Sequence, residues 1–151
     1  MMAFNKTVLL MTVPSDSHSW NLVFMEFLLN DFGYKVDNMG PNTPMDEVIE
    51  RLHSHGYAMV VVSTVNGHGY IEGTQLARRI RSETKHAEAL YIGGKICTEN
   101  DARTIAQHSD TLMAAGFDEV FDDSVANSFD AFQRLVSAQL YPTYLEKRVA
   151  G

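Results

Sequence analysis

The chain has 151 residues, about one ordinary domain, with 45% hydrophobic and 21% charged residues, the composition of a soluble globular protein. A formal charge of −7 leaves no basic excess to release counterions from nucleic acid, and no apolar run approaches the ~20 residues needed to cross a membrane, so neither kind of partner is expected. One cysteine, Cys97, permits no internal disulfide, and the N-terminus lacks the features of a signal peptide; both suit a reducing cytoplasm.

An apolar run over residues 8–13 predicts a first strand, and apolar residues at helical spacing from Leu22 to Leu29 predict a first helix. The polar stretch between them, Pro14-Ser15-Asp16-Ser17-His18-Ser19-Trp20-Asn21, is read as the connecting loop. Gly33 closes the helix near the position that favours a left-handed conformation. A short second strand is expected over residues 34–39 and a turn over 40–44, with Thr43 as hydroxyl cap and Pro44 at the first helical position of a second helix over 45–55. That helix places Val48, Ile49 and Leu52 on one face and stops at Gly56.

Residues 57–62 are continuously apolar and β-branched, as in a central strand covered on both faces. A loop over 63–70 with two glycines follows, then a third helix over 72–84 with Leu76, Ala77 and Ile80 inward and Arg78, Arg79 and Arg81 on a solvated face. A fourth strand is expected over 89–92, with Gly93-Gly94 directly after it, a fourth helix over 99–108, a fifth strand over 115–121 and a last helix over 126–140. The domain is therefore expected to span residues 1–140, with a C-terminal tail over 141–151.

Strands alternating with helices at this spacing argue for a single α/β domain: a doubly wound, five-stranded parallel sheet, flavodoxin-like or Rossmann-like, with strand order 2-1-3-4-5. In that order the loops after strands one, three and four converge at the sheet edge where such folds bind ligands. They carry Asp16 and His18, then residues 63–69, then Gly93-Gly94. A carboxylate two residues from an imidazole can hold one ring nitrogen and so aim the other as a metal ligand or base. Asp and His are both common in loops, and glycine after a strand is common turn chemistry, so no single loop decides the matter. A dinucleotide fingerprint is excluded, because residues 15–21 contain no glycine. A phospho-receiver is excluded too, since the third strand ends in Val62-Ser63 rather than in a carboxylate.

Asp16-Ser17-His18, Ser63-Thr64-Val65 and Gly93-Gly94 together resemble the three-part signature of the cobalamin-binding domains of adenosylcobalamin-dependent mutases and related corrinoid proteins. The resemblance runs from about residue 5 to 138 and leans towards the small subunits of the glutamate mutase (methylaspartate mutase) kind. It implies His18 as the lower axial ligand of cobalt, displacing the cofactor's own dimethylbenzimidazole, and Asp16 as its hydrogen-bonded partner. It implies that the displaced nucleotide tail lies beside Ser63, Val65, Gly67, Gly93 and Gly94, with Ser124 as a further contact and Ser15 and Ser17 belonging to the first motif. It implies adenosylcobalamin as cofactor and a separate large catalytic barrel subunit as partner. The activity implied is a radical 1,2-rearrangement of L-glutamate to 3-methylaspartate or of a related amino acid, with no catalytic residue in this chain and no activity alone.

The chain also departs from the signature. Asn21 stands where the family has glycine, Trp20 beside it is bulky, and residues 121–124 lack the family's proline and glycine. The Asn21 side chain is expected to intrude where the tail passes. Two other readings stay open: a corrinoid carrier for methyl transfer, against which Met1 to Lys6 leaves no room for the usual N-terminal helical domain, and a cofactor-free interaction module, which Asn21 favours. His68 is read as a polar loop histidine, His53 and His55 as complements to a helix dipole, and Cys97 as a small residue near the pocket.

Overall fold

A computed structural model describes residues 5–99 and 101–140 of the chain; the expected tail over 141–151 lies outside the described residues. Five strands and five helices alternate: β1 (Thr7–Met11), α1 (Trp20–Asp31), β2 (Lys35–Asn38), α2 (Met45–Ser54), β3 (Met59–Thr64), α3 (Gly69–Glu83), β4 (Ala89–Gly94), α4 (Ala102–Ala115), β5 (Glu119–Asp122) and α5 (Ser128–Leu140). All strand pairs are parallel and the order is β2-β1-β3-β4-β5, the doubly wound arrangement expected. No helix among the described residues is long and apolar enough to cross a membrane.

Alternation along the strands divides the core in two. Leu9, Met11, Val60 and Val62 pack with Val48, Leu52, Leu76, Ile80 and Leu112, beneath α2, α3 and α4. Val8, Leu10, Met59 and Val61 point the other way and pack with Leu22, Leu29, Phe132 and Val136, beneath α1 and α5. Both faces of β1 and β3 are covered, which explains why these strands are almost unbroken apolar runs.

Several element ends differ from expectation, each for a local reason. β3 and β4 run two residues further, because Ser63 pairs with Gly93 and Thr64 with Gly94 in the parallel ladder. α3 starts at Gly69, and α4 covers Ala102–Ala115 instead of 99–108. α4 begins where the Asp101 carboxylate accepts from Thr104 N–H at 3.1 Å, continues through Ser109-Asp110-Thr111 because Leu112 is buried, and ends at Gly116, whose φ is +139°. β5 is correspondingly shorter, Glu119–Asp122, and α5 starts at Ser128.

Thr43 does not cap α2. Its hydroxyl donates to Gly40 O at 2.7 Å and accepts from Thr12 N–H at 3.1 Å, which ties the β2–α2 turn to the end of β1 and leaves Pro44 at the N-cap. Arg81 is not on a solvated face either. Its guanidinium donates at 3.0 Å to the carbonyls of Gly116, His86 and Glu88 and pairs at 3.0 Å with Asp118, clamping α3 to the segments on either side of β4.

Candidate functional site

The chain leaving β1 turns back over the carboxyl ends of the strands. Asp16 N–H donates to Val13 O at 3.0 Å, and Asn42 N–H donates to Asp16 O at 2.7 Å, so the turn is closed by its own main chain and fastened to the β2–α2 connection. The Asp16 side chain is fully buried. Its Oδ2 accepts from the Thr12 hydroxyl at 3.2 Å, the Thr64 hydroxyl at 2.8 Å and Val65 N–H at 2.8 Å. Its Oδ1 accepts from His18 N–H at 3.0 Å and lies 2.7 Å from Nδ1 of the same histidine. Burial pushes the Asp16 carboxyl up, but donation from Val65 N–H, His18 N–H, the His18 ring and the Thr64 hydroxyl outweighs it and brings the pKa down from 3.8 to about 2.

An ionised carboxylate can only accept, so Nδ1 of His18 carries the proton and, in the neutral ring, Nε2 keeps its lone pair. The ring is 60% exposed, whereas the carboxylate that orients it is not exposed at all. The result is an aimed, accessible nitrogen ligand on a rigid turn.

Between the sheet and helices α1 and α5 lies a mostly apolar cavity of about 180 Å³. Ser63, Val65, Gly93 and Gly94 line it from β3 and β4, Phe24 and Asn21 from α1, Phe121 and Asp123 from the β5 end, and Phe129 and Phe132 from α5. Asn21 reaches across its floor, where Nδ2 donates to Ser63 O at 3.0 Å and to Ser63 Oγ at 3.1 Å. A carbonyl oxygen cannot donate, so the amide cannot be reversed, and Oδ1 is left buried without a hydrogen-bond partner among the described residues. The cavity is smaller than the ~300–1,000 Å³ usual for ligand sites. Phe24 and Phe129, with ring centroids 5.8 Å apart, stand at its rim, and Trp20 (82% exposed) and Phe27 (68%) continue an apolar surface along α1.

The structure thus brings together Asp16, His18, Ser63, Val65, Gly93 and Gly94. Gly67 and Ser124 do not line the cavity. Gly67 turns with φ +86° against Cys97 and Thr98, and Ser124 folds back on Asp122, which accepts from its N–H at 2.9 Å and its hydroxyl at 2.5 Å. Asp123 and Ser128 stand in the lining instead. Ser15 is tied to the surface of α3: its N–H donates to Glu72 Oε1 at 3.1 Å, and its hydroxyl also bonds Glu72 and accepts from the Asn66 amide at 3.0 Å. Ser17 and His68 are exposed, His68 at the N-cap of α3.

The glycine pair needs glycine for reasons of its own. A Cβ on Gly94, at φ +103°, would sit 2.1 Å from the Thr64 carbonyl oxygen, and one on Gly93 would be 3.1 Å from Phe121 O. Asn21, singled out in the sequence as a side chain intruding on the pocket, does stand in the cavity lining, whereas the hydroxyls of Thr12 and Thr64 are participants that sequence spacing alone missed; only the strand register brings both onto Asp16. A larger, open hollow of about 620 Å³, lined by Asp37, Arg51 and Tyr57 among others, lies at the opposite, amino end of β1, away from the carboxyl edge where open α/β sheets bind ligands.

The family model for the B12 binding domain matches residues 6–123. The chain belongs to the B12-binding domain family. Among proteins similar to this B12-binding domain, the glutamate mutase sigma subunit of Halobacterium salinarum is 27% identical over 140 residues, covering 93% of this chain and 91% of that protein. The glutamate mutase sigma subunit 1 of Haloarcula marismortui is 29% identical over 120 residues, covering 78% and 76%. Of solved structures, the Methanosarcina barkeri monomethylamine corrinoid protein has a TM-score of 0.61 at 14% identity, over 85% of this chain and 57% of that one. The methanol:cobalamin methyltransferase complex MtaBC from the same organism has a TM-score of 0.63 at 15% identity, over 94% and 53%. This chain spans a little over half the length of those two solved chains, and at such identity the likeness concerns the fold.

The residues present fit cobalamin at the metal, where a neutral imidazole nitrogen with a carboxylate behind it is a suitable axial donor. They fit the nucleotide tail less generously, because Asn21 occupies the groove and leaves an amide oxygen in need of a donor.

Proposed function

We propose that this B12-binding domain is the cofactor-binding subunit of an adenosylcobalamin-dependent carbon-skeleton mutase of the glutamate mutase kind, working in the cytoplasm with a separate large catalytic barrel subunit. The observation that carries the proposal is the fully buried Asp16 carboxylate holding the exposed His18 ring at 2.7 Å. Nothing in the packing of the domain requires an imidazole there. Similarity to glutamate mutase sigma subunits along most of both chains supports the mutase reading over a methyl carrier.

His18 would hold the metal of the cofactor through Nε2, while Asp16 fixes the tautomer and raises the basicity of the ring. Ser63, Val65, Gly93 and Gly94 line the cavity that would take the nucleotide tail, and Ser15 and Ser17 stand on the same turn as His18. The bound cofactor supplies a cobalt–carbon bond whose homolysis starts radical chemistry. A radical must be kept from water, and the described residues of this small domain form no second wall to close over it. The exposed apolar strip of Trp20, Phe24, Phe27 and Phe129 is the kind of surface that a partner subunit covers. Substrate contacts then belong to that partner, with L-glutamate or a related amino acid as substrate.

The test is the EPR spectrum of cob(II)alamin bound to protein whose histidines carry the heavy nitrogen isotope. An axial protein imidazole turns the nitrogen triplet into a doublet, and His18→Ala abolishes the doublet. A triplet unaffected by labelling refutes the assignment of His18. A second reading, a cofactor-free interaction module, is favoured by Asn21 bridging to Ser63 across the cavity. Absence of cobalamin binding, even with a mutase large subunit added, selects it.

A further inference from the structure

The loop after β4 and the middle of α4 bring three unlike ligand groups together, away from His18. One ligand atom each of Cys97, Glu99 and His108 lies within 4.8 Å of the other two. Cys97 is buried, with its thiol directed at Glu99 O at 3.8 Å, while Glu99 is exposed and opens the cluster to solvent. The His108 ring is clamped against Tyr70, with centroids 3.7 Å apart and planes 15° from parallel, so its orientation is fixed before any ligand arrives. Its Nδ1 is buried with no hydrogen-bond partner among the described residues. A stacked imidazole with an unused nitrogen, beside a thiol and a carboxylate, is unexplained by packing alone.

We propose that Cys97, Glu99 and His108 form a second metal site, which binds a borderline divalent cation of the zinc type with a solvent molecule in the fourth position. Sulfur, nitrogen and oxygen donors in one set suit such an ion, whereas calcium and magnesium take oxygen ligands. Bond lengths of about 2.0–2.3 Å set tetrahedral edges near ~3.5 Å. The cluster therefore closes by no more than about an ångström on binding, a movement within reach of the exposed Glu99 side chain. Binding releases the Cys97 thiol proton to solvent and fastens the β4–α4 loop to α4.

The test is a titration of the full, cobalamin-free chain with Co²⁺, followed by displacement with Zn²⁺ under competition from a chromophoric chelator. The expected result is a thiolate-to-cobalt charge-transfer band in the near ultraviolet with one equivalent bound, unchanged in His18→Ala. The band should be lost in Cys97→Ser, and Zn²⁺ affinity should fall at least about tenfold in His108→Ala and in Glu99→Gln. Because Glu99 is exposed, Glu99→Gln reads the site even if the buried substitutions impair folding. A wild-type chain without the charge-transfer band, or Zn²⁺ affinity equal in wild type and Glu99→Gln, overturns the proposal.

Discussion

Replacing Asp16 by asparagine changes one oxygen to an NH₂ group, yet the structure leaves no orientation in which the new amide fits. With its nitrogen at the Oδ2 position it faces Val65 N–H and two threonine hydroxyls; at the Oδ1 position it faces His18 N–H and the His18 ring. The hydroxyls can rotate, but Val65 N–H and His18 N–H cannot become acceptors. Either way a part-buried main-chain donor meets another donor and loses a charge-assisted bond, a loss costing about 2 kcal/mol. We expect a destabilisation of about 2 kcal/mol in urea unfolding, and a fall in Tm of roughly 6 °C for a domain of this size. Thr64→Val, which removes a single rotatable donor from the same oxygen, should cost only about 1 kcal/mol. If cobalamin binds as proposed, Asp16→Asn should also weaken it by about 10–100-fold through loss of the ring's orientation. An Asp16→Asn chain within about 1 kcal/mol of wild type would refute the account of the turn as a set of donors converging on one charge.

The pH dependence follows from the same group. The native pKa is depressed to about 2 from 3.8, so the corresponding stabilisation, about 2 kcal/mol, is fully present above pH ~4 and is lost as pH falls towards ~2. The stability gap between wild type and Asp16→Asn should therefore narrow on acidification, and a gap constant down to pH ~3 would count against it. Asn21→Gly removes two hydrogen bonds to Ser63 and adds chain entropy but relieves a buried unpaired oxygen, so stability should shift by no more than about 1 kcal/mol. The same change should tighten cobalamin binding while leaving binding of tail-less cobinamide unchanged; equal effects on both ligands would show that Asn21 does not face the tail. Gly94→Ala, with its Cβ directed 2.1 Å from the Thr64 carbonyl, should destabilise the cofactor-free domain by about 3 kcal/mol or more, measured by thermal unfolding without any ligand.

The sheet was legible because burial of both faces of the inner strands writes itself as apolar runs, and because turn residues separate those runs cleanly. The strand ends were not. Ser63-Thr64 and Gly93-Gly94 have weak strand preference, but they pair with one another as the last rungs of the β3–β4 ladder, and the neighbouring strand overrides propensity. The polar Ser109-Asp110-Thr111 hid the second half of α4, because a helix surface is expected to be polar and only Leu112 beyond it reports burial. At the site, the Asp16–His18 pair was legible because both partners lie within three residues of chain. Thr12 and Thr64 were not, since their hydroxyls reach Asp16 only through the parallel register of β1 and β3. Arg81 failed as a surface residue for a similar reason: its acceptors are carbonyls of chain segments up to 35 positions away.

The parts of the signature do not carry equal weight. Gly94 would be glycine in a domain of this shape whatever it bound, because its positive φ and the Thr64 carbonyl exclude a side chain. Ser63 continues a ladder, and its hydroxyl is occupied by Asn21. Asp16 also serves the fold by gathering main-chain and hydroxyl donors at the end of the sheet. His18 alone does nothing for packing: its ring is mostly exposed, and its ring contact is to a carboxylate that already has four other donors to satisfy it. The Nδ1–H bond adds one more donor to the Asp16 charge and so offsets the side-chain entropy of ordering the ring, but that bond does not itself require the rest of the ring to stand exposed. The orientation makes physical sense if Nε2 has something to bind, which is why the functional reading rests on this residue more than on the glycines that first suggest the family.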